Sequence, residues 1–154
     1  MPKHDQERFL GQDGVVQRVR LAAYGWCERD GAVLLCRISP NGRGGGLWTL
    51  PGGGLDFGEG PATGLVRELL EETGLEGVVG PLIGVRSAVL EPGETVSGHR
   101  VQAVGILYRA TVTDGTLRDE ADGSTDLARW IPFAELDALP VTGLVPWARD
   151  VAGR

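Results

Sequence analysis

The stretch PATGLVRELLEET at residues 61–73 constrains the fold most, because it reads as an amphipathic helix with both ends marked. Pro61 suits the first helical position, where its missing N–H costs nothing, and Gly74 suits the left-handed residue that ends a helix. On a wheel of about 100° per residue, Ala62, Leu65, Val66, Leu69, Leu70 and Thr73 fall within roughly 140° and form the expected buried face. Glu71, Glu68 and Glu72 fall at about 240°, 300° and 340°, so three carboxylates share one arc expected to lie opposite the apolar stripe. The stripe must be buried against another layer.

The flanking sequence supplies that layer as strands. Val15 to Ser39 reads as two strands joined by a two-residue turn at Asp30 and Gly31, followed by the glycine-rich loop PNGRGGG, a candidate flap. GLWTLP reads as a short strand running into GGGLDFGEG. Beyond the helix, VVGPLIGVRSAVL and HRVQAVGILYRATV read as strands separated by a PGE turn; LARWIP, AELDAL and LVPWARDVA read as a strand, a short helix and an outer amphipathic piece. Strands before, between and after helices in one small chain predict an α/β fold, a mixed β-sheet covered by helices. With 154 residues and 42% apolar content, one domain is expected over residues 15–154, with residues 1–14 a loosely held lead-in.

Like charges such as Glu68 and Glu72, four residues apart, cost about 0.2–0.5 kcal/mol on an exposed helix, little enough that an acidic surface needs no function. A cluster of oxygen anions is also what a hard divalent cation requires. Written from Gly53 to Leu75, GGLDFGEGPATGLVRELLEETGL resembles the signature of the Nudix hydrolases, G-x5-E-x7-R-E-U-x-E-E-x-G-U with U a bulky aliphatic residue. Gly53, Glu59, Arg67, Glu68, Leu69, Glu71, Glu72, Gly74 and Leu75 fill every fixed position.

That resemblance implies the family's α/β/α sandwich, in which a mixed sheet lies between helices. It implies that Glu68, Glu71 and Glu72 bind metal and activate water, with Glu68 favoured as base and Glu71 as the other catalytic candidate. It implies that Glu59 and Arg67 form a structural pair fixing the loop against the helix, within a structural box that also includes Gly53 and Gly74. A backbone carbonyl in the preceding loop is expected as a further ligand, and Gly52 is the candidate. The family often draws one more acid from a late loop; among Asp119, Glu120, Asp122 and Asp126, Glu120 is chosen for its longer reach, while a solvated turn accounts for most of that set. The cofactor implied is Mg²⁺ or Mn²⁺. The reaction implied is hydrolysis of a diphosphate linkage in a nucleoside diphosphate derivative, either a nucleoside triphosphate or a nucleotide sugar. A Nudix-fold sensor that binds a nucleotide without cleaving it, and removal of pyrophosphate from an RNA 5′ end, are the rival readings.

Charge and composition narrow the partners. A net charge of −6 argues against a general nucleic-acid or membrane-surface binder and favours a small-molecule nucleotide substrate. The start of the chain is charged throughout and later apolar runs are short, so a soluble, cytoplasmic protein is expected; assembly as a homodimer is left open. The register of the predicted hairpin sets Cys27 opposite Leu34 and Cys36 opposite Gly25, which leaves the two cysteines unpaired. Trp26, Trp48, Phe57 and Tyr108 are candidates for stacking on a base, with packing roles the stronger expectation. Arg37, Arg43, Arg86, Arg100 and Arg109 are candidates for phosphate contacts, weighed against exposed strand or loop positions.

Overall fold

A computed structural model of the chain describes residues 9–154. In chain order the elements are β1 Phe9–Leu10, β2 Val16–Arg29, β3 Ala32–Ile38, β4 Trp48–Thr49, β5 Gly52–Gly54, α1 Pro61–Thr73, β6 Leu75–Leu90, a 3₁₀ turn Pro92–Glu94, β7 Arg100–Gly115, β8 Thr125–Pro132, α2 Phe133–Leu136 and α3 Leu144–Val151. Of the expected lead-in, residues 1–8 lie outside the described residues, and Phe9–Leu10 pair with Gln17 and Val16 of β2.

Local chemistry sets these boundaries. Asp30 and Gly31 take φ of 50° and 75°, the pair of positive values that a two-residue hairpin turn needs, and Arg29 faces Ala32 across it. α1 starts at Pro61 and stops at Gly74, whose φ of 73° no larger residue adopts cheaply.

The sheet follows the order β4-β3-β2-β7-β6, with β1 and β5 also pairing with β2 and β8 pairing with β3. β2 and β7 run parallel from Gln17↔Arg100 to Cys27↔Ala110, and the other pairings are antiparallel, so the sheet is mixed. β2 and β3 pair at Glu28↔Val33 and Arg29↔Ala32 beside their turn, whereas farther back β2 pairs with β5 through Ala22↔Gly54, Ala23↔Gly53 and Tyr24↔Gly52. A cleft opens where β2 changes partner.

Each face of the sheet carries its own apolar layer. On one, Trp26, Val33, Leu35, Leu50, Leu107 and Ile131 pack with Leu136 of α2 and Val145 and Ala148 of α3. On the other, Ala23, Cys27, Leu34, Leu75 and Ala110 pack with Leu65 and Leu69 of α1. Val33, Leu34 and Leu35 alternate between the layers with the two-residue period of a strand buried on both faces. This is the expected α/β/α sandwich. Cys27 and Cys36 are both free and buried, and burial pushes the Cys27 thiol up to about 12.

The helix is rotated from the face that the wheel predicts. Leu65, Leu69 and Thr73 are buried, but so is Glu72, at 2% exposure, while Val66 and Leu70 are 40% and 45% exposed. Glu72 lies only about 20° from Leu65 on the wheel, so a helix laid with that edge against the sheet buries the carboxylate with the leucine. The acids flank the buried stripe and do not lie opposite it.

Candidate active site

β5 brings the backbone against α1. The φ of Gly52 is 136°, and a Cβ there would lie 2.1 Å from the Ala23 carbonyl oxygen, so only glycine fits. Its N–H donates to Glu72 Oε1 at 2.7 Å. At Gly53 a Cβ would meet Glu68 Oε1 at 3.0 Å, and at Gly54 it would meet Arg20 Nη2 at 3.2 Å. Three glycines thus let one short strand pass between a carboxylate on one side and a guanidinium on the other.

Arg67 organises the exposed edge of the same helix. Its Nε and Nη2 donate to Glu59 Oε2 and Oε1, both at 2.8 Å, a bidentate pair, and Nη2 also reaches the Gly54 carbonyl at 3.3 Å. Nη1 donates to Glu68 Oε1 at 3.0 Å and to Glu71 Oε2 at 3.2 Å. The Asp56 N–H donates to Glu59 as well, and the Arg67 guanidinium holds the Glu59 carboxyl down to about 2. One cation therefore ties the loop, the β5 backbone and two helix acids together.

Burial pushes the carboxyls of Glu72 and, to a smaller degree, Glu68 upward. Neighbouring acids add to this: Glu68 and Glu120 for Glu72, Glu71 and Glu120 for Glu68. Glu120 comes from the loop before β8, where its Oε2 accepts from Thr125 Oγ1 at 3.0 Å. Glu68, Glu72, Glu120 and Gly52 all line one open cleft of about 1200 Å³. Glu71 is half-exposed and does not line it.

The other candidates are dispersed. Asp119 accepts from the Ala128 N–H and Arg129, while Asp122 and Asp126 line the cleft wall, Asp126 paired with Arg37 at 2.7 Å. Trp26 is wholly buried, Trp48 and Tyr108 pack against the two cores, and Phe57 is exposed. Arg43 donates to the carbonyls of Gly93 and Glu94, Arg100 pairs with Asp13 and Glu91, and Arg109 bonds the Ala152 carbonyl. Residues 40–43 of the predicted flap do line the cleft.

Tyr24, Arg20, Thr142 and Leu144 also line the cleft, and sequence reasoning did not single them out. A period-two reading places Arg20 and Tyr24 on the same face of β2 as Ala22, a signal that was available once β2 was recognised.

Hard oxygen donors on a cleft wall, one of them a buried carboxylate with acidic neighbours, fit a divalent cation. Among the described residues no three such side chains yet converge into a ligand group. Arg67 holds Glu68 and Glu71, and Thr125 holds Glu120.

Comparison with known proteins agrees with this fold. The family model for the NUDIX domain matches residues 16–152, and the chain belongs to that family. It is 32% identical over 127 residues, 82% of its length, to human "Diphosphoinositol polyphosphate phosphohydrolase 3-alpha", covering 68% of that protein. It is 35% identical over 120 residues, 78% of its length, to "ADP-ribose pyrophosphatase" of Methanocaldococcus jannaschii, covering 64% of it. The chain spans about a third to two thirds of the length of the curated relatives it matches. A solved NUDIX hydrolase from Nitrosomonas europaea superposes with a TM-score of 0.73 at 22% identity, covering 88% of each chain, a likeness of fold. Among the described residues no helix is long and apolar enough to cross a membrane.

Proposed function

We propose that this protein is a pyrophosphohydrolase that uses Mg²⁺ or Mn²⁺ to cleave the diphosphate linkage of a nucleoside diphosphate derivative. The observation that carries the reading is the buried Glu72 carboxylate, which lines a large cleft together with Glu68 and Glu120 and is pushed upward first by its burial and further by their charge. A fold does not bury an anion beside other anions at no cost, and a bound cation offsets that cost. Glu68, Glu72, Glu120 and the Gly52 carbonyl are the proposed ligands, with Glu71 available from the helix edge. Bound there, the cation would polarise phosphoryl oxygens and lower the pKa of an attacking water.

The remaining roles fall to the chain's own groups. Glu68 is the proposed base: it lines the cleft, and Arg67 orients its Oε1. It takes a proton from water as the water oxygen bonds to phosphorus and the bridging P–O bond breaks, giving two phosphate-bearing products. Glu71, held on the same Arg67 nitrogen, is the alternative base. Glu59 and Arg67 position; they do not react. A cleft of about 1200 Å³ exceeds the usual range for a drug-sized ligand and suits a nucleotide with a second group attached. Names of relatives support a nucleotide: an ADP-ribose pyrophosphatase and, at 41% identity over 56 residues, "CTP pyrophosphohydrolase" of Escherichia coli.

The test is a panel of ATP, CTP, ADP-ribose and diadenosine tetraphosphate, incubated with Mg²⁺ in ¹⁸O-water and read by ³¹P NMR. Cleavage to a nucleoside monophosphate or diphosphate with label in one product is expected for at least one of them. Tight binding of a nucleotide with no cleavage of any would overturn the reading in favour of a sensor.

A further inference from the structure

Resting on that reading, we propose that Arg20 and Arg86 form an anion clamp beside the acidic wall, which selects substrates whose group beyond the scissile diphosphate is itself phosphorylated. Carboxylates outnumber basic residues 21 to 15 in this chain, and most guanidiniums among the described residues are engaged. Among the described residues, only the guanidiniums of Arg18, Arg20 and Arg86 have no hydrogen bond, ion pair or ring contact within the protein. Two of those three border the same groove, which branches from the cleft and shares Arg20, Tyr24 and Leu144 with it.

The sheet register shows why the two guanidiniums face one space. Arg20 pairs with Ala103, which pairs with Ala88; one step along, Ala22 pairs with Gly105, which pairs with Arg86. These six residues share one face of β2, β7 and β6, with an arginine at each of two opposite corners and only alanine or glycine between. Two strand spacings of about 4.8 Å and two residue rises of about 3.3 Å put the arginine Cα atoms about 12 Å apart, and the Tyr24 ring lies over Gly105 as one wall of the groove. The groove is lined by no carboxylate among the described residues.

Its position relative to the acids gives the substrate class. The Arg20 guanidinium stands over Gly54, on the opposite side of β5 from Glu68, which meets Gly53, and both side chains line the same open cleft. The Arg86 guanidinium lies farther out, 3.4 Å from where a Gly143 Cβ would be. Arg20 borders both the cleft and the groove and Arg86 the groove alone, so a substrate whose diphosphate lies at the acidic wall meets Arg20 within the cleft and Arg86 beyond it, where unpaired guanidiniums match phosphate oxygens in fork geometry. A neutral sugar at that end leaves them unused.

ATP and ADP-ribose share the ADP unit and differ in whether a phosphate or a neutral ribose ring follows it. Their α,β-methylene analogues cannot be cleaved at that bridge, so calorimetric binding in Mg²⁺ tests the clamp whether or not the protein turns substrate over. For the wild type, the ATP analogue is expected to bind more tightly than the ADP-ribose analogue. Arg86→Gln and Arg20→Gln are each expected to lower that preference at least about tenfold, and Arg86→Lys to restore part of it, because lysine keeps the charge and loses the fork. Thermal melts within about 2 °C of the wild type would establish that the variants fold. A preference unchanged within about twofold in both glutamine variants overturns the clamp, as does a wild type that binds neither analogue. A wild type that binds the analogues but cleaves neither ATP nor ADP-ribose overturns the hydrolytic reading alone, and the preference still judges the clamp.

Discussion

Replacing Glu72 by glutamine should make the metal-free protein more stable while abolishing its response to metal. The carboxylate is 2% exposed, its Oε1 already accepts the Gly52 N–H at 2.7 Å, and Glu68 and Glu120 repel it. A glutamine oxygen can keep the Gly52 hydrogen bond while the amide removes the buried charge. Replacing a poorly compensated buried charge by a neutral group of the same shape is expected to stabilise by about 1–3 kcal/mol. For a chain of this length that is about 2–4 °C in Tm per kcal/mol. The pH dependence has a definite sign. The native carboxyl titrates above its unfolded value of about 4.3, so the native state binds more protons and wild-type stability falls as pH rises through and above that value. The gain from Glu72→Gln is therefore absent near pH 4 and grows toward neutral pH. Mg²⁺ at about 100 times its Kd should raise wild-type stability by about 2.7 kcal/mol and leave the variant unmoved. Thermal melts in chelator and in Mg²⁺, at pH 5 and pH 8, read all of these effects. A variant that melts below the wild type in chelator at pH 8, or that gains as much from Mg²⁺, would refute the reasoning.

Two further outcomes follow from the same geometry. A double-mutant cycle on Glu59→Gln and Arg67→Gln should give a coupling of about 1–2 kcal/mol by denaturant unfolding, because the pair is bidentate and largely shielded. Glu59 titrates low, so that contribution is complete above about pH 4.3 and is lost as pH falls through about 2; a coupling that persists below pH 2 would contradict it. Gly52→Ala should destabilise by at least about 3 kcal/mol, because a Cβ would stand 2.1 Å from the Ala23 carbonyl at a φ of 136°. A Tm within 2 °C of the wild type would remove the case for that close approach.

The local signals in the sequence were sufficient for the framework. Pro61 and Gly74 bounded α1, Asp30-Gly31 marked the hairpin, and Val15 to Ser39 read as its two strands. The wheel failed at Glu72 because it treats the buried face as the apolar face, whereas a helix that lays its acidic edge on a cleft buries a carboxylate beside Leu65 and releases Val66 and Leu70 to solvent. Glu120 was reached through family resemblance, and no local pattern separates it from Asp119, Asp122 and Asp126. Tertiary contacts set two of them apart, since Asp119 and Asp126 are held by Arg129 and Arg37, whereas Asp122 lines the cleft beside Glu120. Arg20, Tyr24 and Leu144 come to the cleft from segments more than a hundred residues apart, joined through pairings that the sequence does not print.

The central claim is that the acidic wall holds a divalent cation that breaks a diphosphate. Its most direct test is the rate of cleavage of the best substrate in the panel as free Mg²⁺ is titrated upward from excess chelator, with the wild type and Glu72→Gln side by side. The account predicts no turnover in chelator, a saturable rise with Mg²⁺ for the wild type, and at least about a hundredfold lower rate for the variant at every concentration. Full turnover in chelator, or a variant that follows the wild-type curve, would contradict it.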